Sequence, residues 1–259
     1  MPKSSSALEQ MREALRRLFL PRRHTVLLVA IVVLFAARPL IGDLGIGPVV
    51  FSLALIVLML VALYTIQVDE LVGERETLLA QKRRRGIIGW LLAVPAIVER
   101  LAIIFVHSGP ILIAGMVFWF LFFSFVTWSE LRAVVKQREV TGETIAMSIS
   151  VYLLIGLTWG VLYIVLYYLQ PNAFSFGGSG TPSSHPEATQ IFPVLVYFSL
   201  TTLSTVGFGD ITPVSLQTRY AAVAEGITGQ FYLAILVARL VGLYMSRPAD
   251  NISTQSHPD

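Results

Sequence analysis

The chain contains no cysteine, so disulfides, thiol nucleophiles and cysteine-held metals are all excluded. Charge is scarce as well. Only 14% of the 259 residues are Asp, Glu, Lys or Arg, and the net charge of +3 is too small to point to a nucleic-acid partner. His24, His107, His185 and His257 fall in loops or near the termini and form no ligand spacing. No glycine-rich phosphate loop and no nucleophile beside a base is visible, so no enzyme and no cofactor are expected. What the chain has in abundance is apolar surface: 55% hydrophobic residues and a mean hydropathy of +0.71. That composition calls for several membrane spans.

Six segments approach the roughly 20 apolar residues needed to cross a bilayer core. They run over Thr25 to Ile41, Pro48 to Ile66, Ile87 to Val106, Ile111 to Trp128, Ile145 to Leu169 and Thr218 to Met245. Ile191 to Leu203 is too short to span and reads as a re-entrant helix. The expected class is an all-α membrane protein.

The basic residues orient it. Six precede the first span; Arg75, Lys82, Arg83, Arg84 and Arg85 lie between spans two and three. Arg132, Lys136 and Arg138 lie between spans four and five, and Arg247 follows span six. Fifteen of the nineteen thus share one side, which an odd span count would not allow. Both termini are expected in the cytoplasm, with no cleavable signal peptide. Residues 1–24 open with Ser6 and Glu9 in capping-box spacing, then Leu8, Met11, Leu15 and Leu18 at helical spacing. They read as an amphipathic helix on the inner surface. The run Lys82 to Arg85 would lie near anionic head groups, and positive-inside bias accounts for it without a specific lipid site.

Between the re-entrant segment and span six stands Thr205-Val206-Gly207-Phe208-Gly209-Asp210, preceded by Ser199-Leu200-Thr201-Thr202-Leu203-Ser204. The pattern Thr202-x-x-Thr205-x-Gly207-Phe208-Gly209-Asp210 resembles the selectivity filter of the potassium channels. An ion stripped of water needs a strand whose carbonyls all face one way. Gly207 and Gly209 would permit the backbone angles this demands.

The resemblance implies that the carbonyls of Thr205, Val206, Gly207 and Phe208, with the Thr205 hydroxyl, hold permeant potassium ions. Phe208 would pack behind the filter. The family more often has tyrosine there, so the outer end would be looser and prone to slow inactivation. Tyr197 and Phe198 would form an aromatic cuff, with Tyr197 able to reach Asp210. Thr202 and Glu225 would support the filter from behind, and Gly229 falls where the family keeps its inner-helix hinge. Glycine used merely for close packing is the competing reading. Arg239 would snorkel to the interface near the inner mouth. One chain supplies one strand of a fourfold ring, so a homotetramer in contact with membrane lipids follows.

The chain divides into residues 25–140, a four-span peripheral module, 141–245, a pore module, and 246–259, a short tail that leaves no cytoplasmic ligand-binding domain to be expected. Pro171 to Gln190, rich in Gly, Ser and Pro, reads as a flexible outer turret. Ile111 to Trp128 contains no Lys or Arg, so voltage sensing of the usual kind is not expected; its Met116, Phe118, Trp119, Phe120, Phe122, Phe123 and Phe125 read as an aromatic, belt-like surface. Glu99 and Arg100, adjacent and deep in span three, would each seek a partner on another span. The expectation is a potassium-selective channel in a plasma membrane, of bacterial inner-membrane type. A weakly selective cation channel and a regulatory subunit of a mixed channel are the alternatives.

Overall fold

Each apolar run forms a helix in the computed structural model, which describes residues 22–41, 47–72, 79–102, 109–170, 172–177 and 188–245. In chain order these are α1 (Arg23–Ile41), α2 (Gly47–Val72), α3 (Leu79–Ala102), α4 (Gly109–Lys136), α5 (Gly142–Leu169), β1 (Phe174–Phe176), α6 (Ala188–Leu203), β2 (Ile211–Pro213) and α7 (Leu216–Met245). The amphipathic segment and the tail expected at the two ends lie outside the described residues.

By length and composition, α2, α4, α5 and α7 are able to cross a membrane. The apolar part of α1 is shorter, over Arg23–Ala36. α3 carries Arg85, Glu99 and Arg100 along with its apolar residues. Lys82 to Arg85, expected in a connecting loop, belong to the first turns of α3 instead.

α5 is the central element, with 61% of its spanning window buried. It packs on α4, α6 and α1, while α2 lies between α1 and α3, and α3 lies against α4. Its start is fixed locally: Thr141 caps the helix by accepting from the Thr144 amide, and Thr144 returns the bond to the Thr141 amide.

One face of α4 is core, which corrects the sequence expectation in part; Val117, Leu121 and Trp128 stay exposed, and Phe118, Phe120 and Phe125 are half-buried. Met116, Trp119, Phe122, Phe123 and Val126 are buried at spacings of three and four, and Trp119 stacks on Phe123 with ring centroids 5.5 Å apart. A helix bordered by protein and lipid needs no polar face, so composition alone could not separate lipid-facing from protein-facing positions.

His24, expected in a loop, is buried in α1. Its Nδ1 lies 3.1 Å from Glu130 Oε2 of α4. Its amide and the Thr25 hydroxyl both donate to the Glu143 carboxylate at the start of α5. The first turn of α1 is thereby pinned to the α4–α5 junction.

Glu99 finds its partner on another helix, accepting from Trp119 Nε1 at 3.2 Å. Its side chain covers Gly115, where any Cβ would collide with it. The buried Arg100 nitrogens have no hydrogen-bond partner among the described residues.

Candidate functional site

The site is the segment from Thr205 to Asp210, and its shape begins in the backbone. Thr205, Gly207 and Gly209 have φ of 60°, 51° and 78°. Val206 and Phe208 between them are not in the positive region. Alternating left- and right-handed residues turn successive peptide planes the same way, so that carbonyls line up along one edge. Glycine adopts positive φ freely at 207 and 209. Threonine does not: the strain at Thr205 amounts to about 1–3 kcal/mol and is of the kind that collects at functional sites. The motif did not reveal it.

The amides of the segment turn back toward α6. The Val206 and Gly207 amides both donate to the Thr201 carbonyl, at 2.9 and 3.1 Å, and the Thr205 amide donates to the Thr202 carbonyl at 3.0 Å. These acceptors are the last carbonyls of α6, which have no partner within the helix itself. Helix end and loop satisfy each other, leaving residues 204–210 exposed on the opposite side.

The far end of the segment is held three ways. Tyr197 donates from its hydroxyl to Asp210 Oδ2 at 2.9 Å. The Tyr197 ring also stacks on Phe208, with centroids 6.4 Å apart and planes 4° from parallel. Finally, the Gly177 amide donates to the Asp210 carbonyl at 2.6 Å, next to an antiparallel pairing of Phe174 with Pro213 and Phe176 with Ile211.

That two-stranded pairing corrects one expectation: part of the supposed flexible turret is a strand, while the chain as a whole is helical as expected. Asn172 (φ 63°) turns the chain out of α5 into β1. Three-residue strands carry too little alternation to be read from sequence. Residues 171 and 178–187 lie outside the described residues.

Behind the segment is an aromatic and carboxylate cluster. Phe198 is buried, 5.0 Å from the Tyr163 ring and 5.4 Å from that of Phe174. Glu225 of α7 is fully buried. It accepts from the Tyr163 hydroxyl of α5 at 2.6 Å and from the Ser199 hydroxyl of α6. Ser199 Oγ also lies 2.6 Å from the Gly156 carbonyl. One carboxylate therefore joins three helices behind the loop. Sequence reasoning placed Glu225 at the back of α6 but missed Tyr163 and Ser199, which look like ordinary core residues until the fold brings them together.

Three glycines set how closely the helices approach. A Cβ on Gly156 would lie 2.6 Å from Leu200 Cδ2, and one on Gly160 2.8 Å from Val196 Cγ2. This Gly-x-x-x-Gly pair, which the sequence reading did not single out, lets α6 lie against the α5 backbone. On α7, a Cβ at Gly229 would collide with the Leu203 carbonyl. Close approach is thus a reason for glycine at 229, whatever bending the position also allows.

Arg239 has partners of its own. Its guanidinium donates to the carbonyls of Val134, Val135 and Gln137, at 2.5, 2.6 and 2.6 Å. It caps the C-terminal end of α4, where a cation is favoured, and ties the end of α7 to the first four helices.

The sequence family described as "Ion channel" matches residues 152–246. These residues hold most of α5, the ribbon, α6, the loop and α7. The chain is 30% identical over 90 residues to a curated protein named "Protein LctB" from Bacillus caldotenax. That alignment covers 35% of this chain and 64% of the relative. No solved structure matches the chain. The family match supports an ion channel in a helical membrane protein.

Proposed function

We propose that the chain is one protomer of a homotetrameric, potassium-selective channel, with Thr205 to Phe208 donating the carbonyls that replace water around the ion. The observation that carries this reading is the alternation of positive φ at Thr205, Gly207 and Gly209, with the amides of Thr205, Val206 and Gly207 engaged by the Thr202 and Thr201 carbonyls. A backbone whose donors are occupied on one side presents acceptors on the other, and acceptors are what a bare cation needs. Tyr197, Phe198, Thr202 and Glu225 act as supports. A bend of α7 at Gly229, directly beneath the loop, gates the inner end.

The assembly reading rests on α7. Only 6% of its spanning window is buried within one chain, and Tyr220, Val223, Ile227, Phe231 and Ile235 form an exposed stripe. Four copies ringing the loop would cover that stripe. We place six spans in a bacterial inner membrane with both termini cytoplasmic, following the basic residues. α4 has no Lys or Arg before Arg132, so the four-helix module does not sense voltage in the usual way.

The test is purified full-length protein in planar bilayers with mixed potassium and sodium. A reversal potential near that of potassium is expected, together with a cross-linking ladder ending at four. Equal sodium permeation would replace selectivity with a general cation pathway. Absence of current from a cross-linked tetramer would point to a subunit of a mixed channel.

A further inference from the structure

From Glu225 to Arg239, every polar side chain of α7 but one is engaged. Glu225 accepts from Tyr163 and Ser199, the Thr228 hydroxyl donates to the Ala224 carbonyl at 2.7 Å, and the Tyr232 hydroxyl donates to the Ser148 carbonyl at 2.6 Å. Arg239 has its three carbonyls. Gln230 is exposed and has no hydrogen-bond partner among the described residues. It stands near the middle of the α7 spanning stretch, Leu216–Leu243. A carboxamide carries both donors and an acceptor, and neither hydrocarbon nor an apolar helix face satisfies them. Such a group belongs against water.

Register decides which way it faces. At about 100° per residue, Gly226, Gln230, Leu233 and Val237 share one face of α7. That face lies roughly a third of a turn from the stripe of Tyr220, Val223, Ile227, Phe231 and Ile235. Leu233 and Val237 are exposed as well. Gly226 shows what the face looks at: a Cβ there would lie 3.9 Å from the Thr202 carbonyl oxygen, in otherwise open space.

Thr202 is where α6 passes into the loop, its carbonyl accepting from the Thr205 amide. Gln230 lies one turn beyond Gly226, about 6 Å along the axis, on the side toward Arg239 and the end of α4. Helical side chains lean toward the N-terminal end of their helix. The carboxamide therefore leans back toward the space that Gly226 leaves open beneath the loop.

We propose that Gln230 lines the ion path on the inner side of the loop, where its carboxamide oxygen, one from each copy, accepts from the water shell of a monovalent cation. The assignment rests on the proposed channel. It adds a side chain that governs ion supply and leaves selectivity to the main chain of the loop.

The absence of cysteine makes the test direct. Gln230→Cys, Ile227→Cys and Glu139→Cys, each the single thiol of a full chain, are placed in lipid nanodiscs so that both faces meet the reagent. A small cationic methanethiosulfonate is applied for hours, and the adduct is read as a mass shift. Glu139, exposed in the α4–α5 linker, sets the reference for full labelling. Gln230→Cys is expected to approach that reference, and Ile227→Cys, on the stripe, to label severalfold less. An unlabelled Gln230→Cys, or equal labelling at 227 and 230, would overturn the assignment. This readout needs no current.

Single-channel recording at low potassium supplies the second. Gln230→Glu should raise the current carried from the inner side about twofold, and Gln230→Lys should lower it severalfold, because fixed charge in a narrow path sets the local cation concentration. Both should keep the wild-type reversal potential. The same change from either charge would mark a merely structural residue and refute the proposal. A wild type without selective current would refute the channel reading, while the labelling would still decide whether Gln230 meets water.

Discussion

At the residue scale, one side chain carries more than its sequence context suggests. Glu225 sits in the middle of an apolar helix and accepts from Tyr163 and Ser199 at once. Glu225→Leu removes both acceptor oxygens, so the buried Tyr163 hydroxyl loses its acceptor while Ser199 keeps the Gly156 carbonyl. The cost should be about 1–3 kcal/mol, against roughly 1 kcal/mol for Tyr163→Phe, which removes only a donor. Unfolding of the purified protein in mixed detergent would read both. Equal small effects would show that the carboxylate is not the joint between α5, α6 and α7. Phe208, by contrast, does not lie behind the loop in its own chain: it is 69% exposed and touches Tyr197 face to face.

At the scale of elements, Arg239 separates two kinds of coupling. Its three bonds reach the main chain of α4 and the following linker, so substitutions of the side chains at Val134 or Val135 would not break them. Arg239→Leu should destabilise the protein by about 1.5–3 kcal/mol, the range for bonds to a charged group. It should leave the potassium-to-sodium reversal potential unchanged, because the contact is remote from the loop. A shifted reversal potential would sink that separation. Arg239→Lys should restore little, since an ammonium cannot present the same planar fork.

The helices themselves were plain in the sequence. All seven apolar segments became helices, and Ile145 to Leu169 and Ile191 to Leu203 agree with α5 and α6 to within a few residues. Long apolar runs leave the backbone no alternative in lipid. The loop motif was equally legible, because positive φ at 207 and 209 needs glycine. The partners were not. Tyr163, Ser199, Glu143 and Glu130 acquire their roles only from helices far away in the chain. The β-ribbon was too short to signal itself, and the burial of Trp119, Phe122 and Phe123 depended on which faces of α4 met other helices.

For the whole molecule, the contrast between α5 and α7 is the main fact. One helix is largely covered and the other largely bare within one chain, and the proposed assembly rests on the bare one. Phe231, on the exposed stripe, is a direct probe. If a neighbouring copy covers it, Phe231→Ala should cost about 3–5 kcal/mol per protomer, visible as loss of the highest cross-linked band at temperatures where the wild type keeps it. An unchanged ladder would mean that lipid, and not protein, lies against Phe231.

The grip of α6 on the loop has a practical corollary. Because the amides of Val206 and Gly207 share the Thr201 carbonyl, the joint is written wholly in main-chain atoms. Alanine scanning would pass over it without a trace. Only backbone chemistry, such as a semisynthetic ester in place of one of those two amides, would expose how firmly the loop is held.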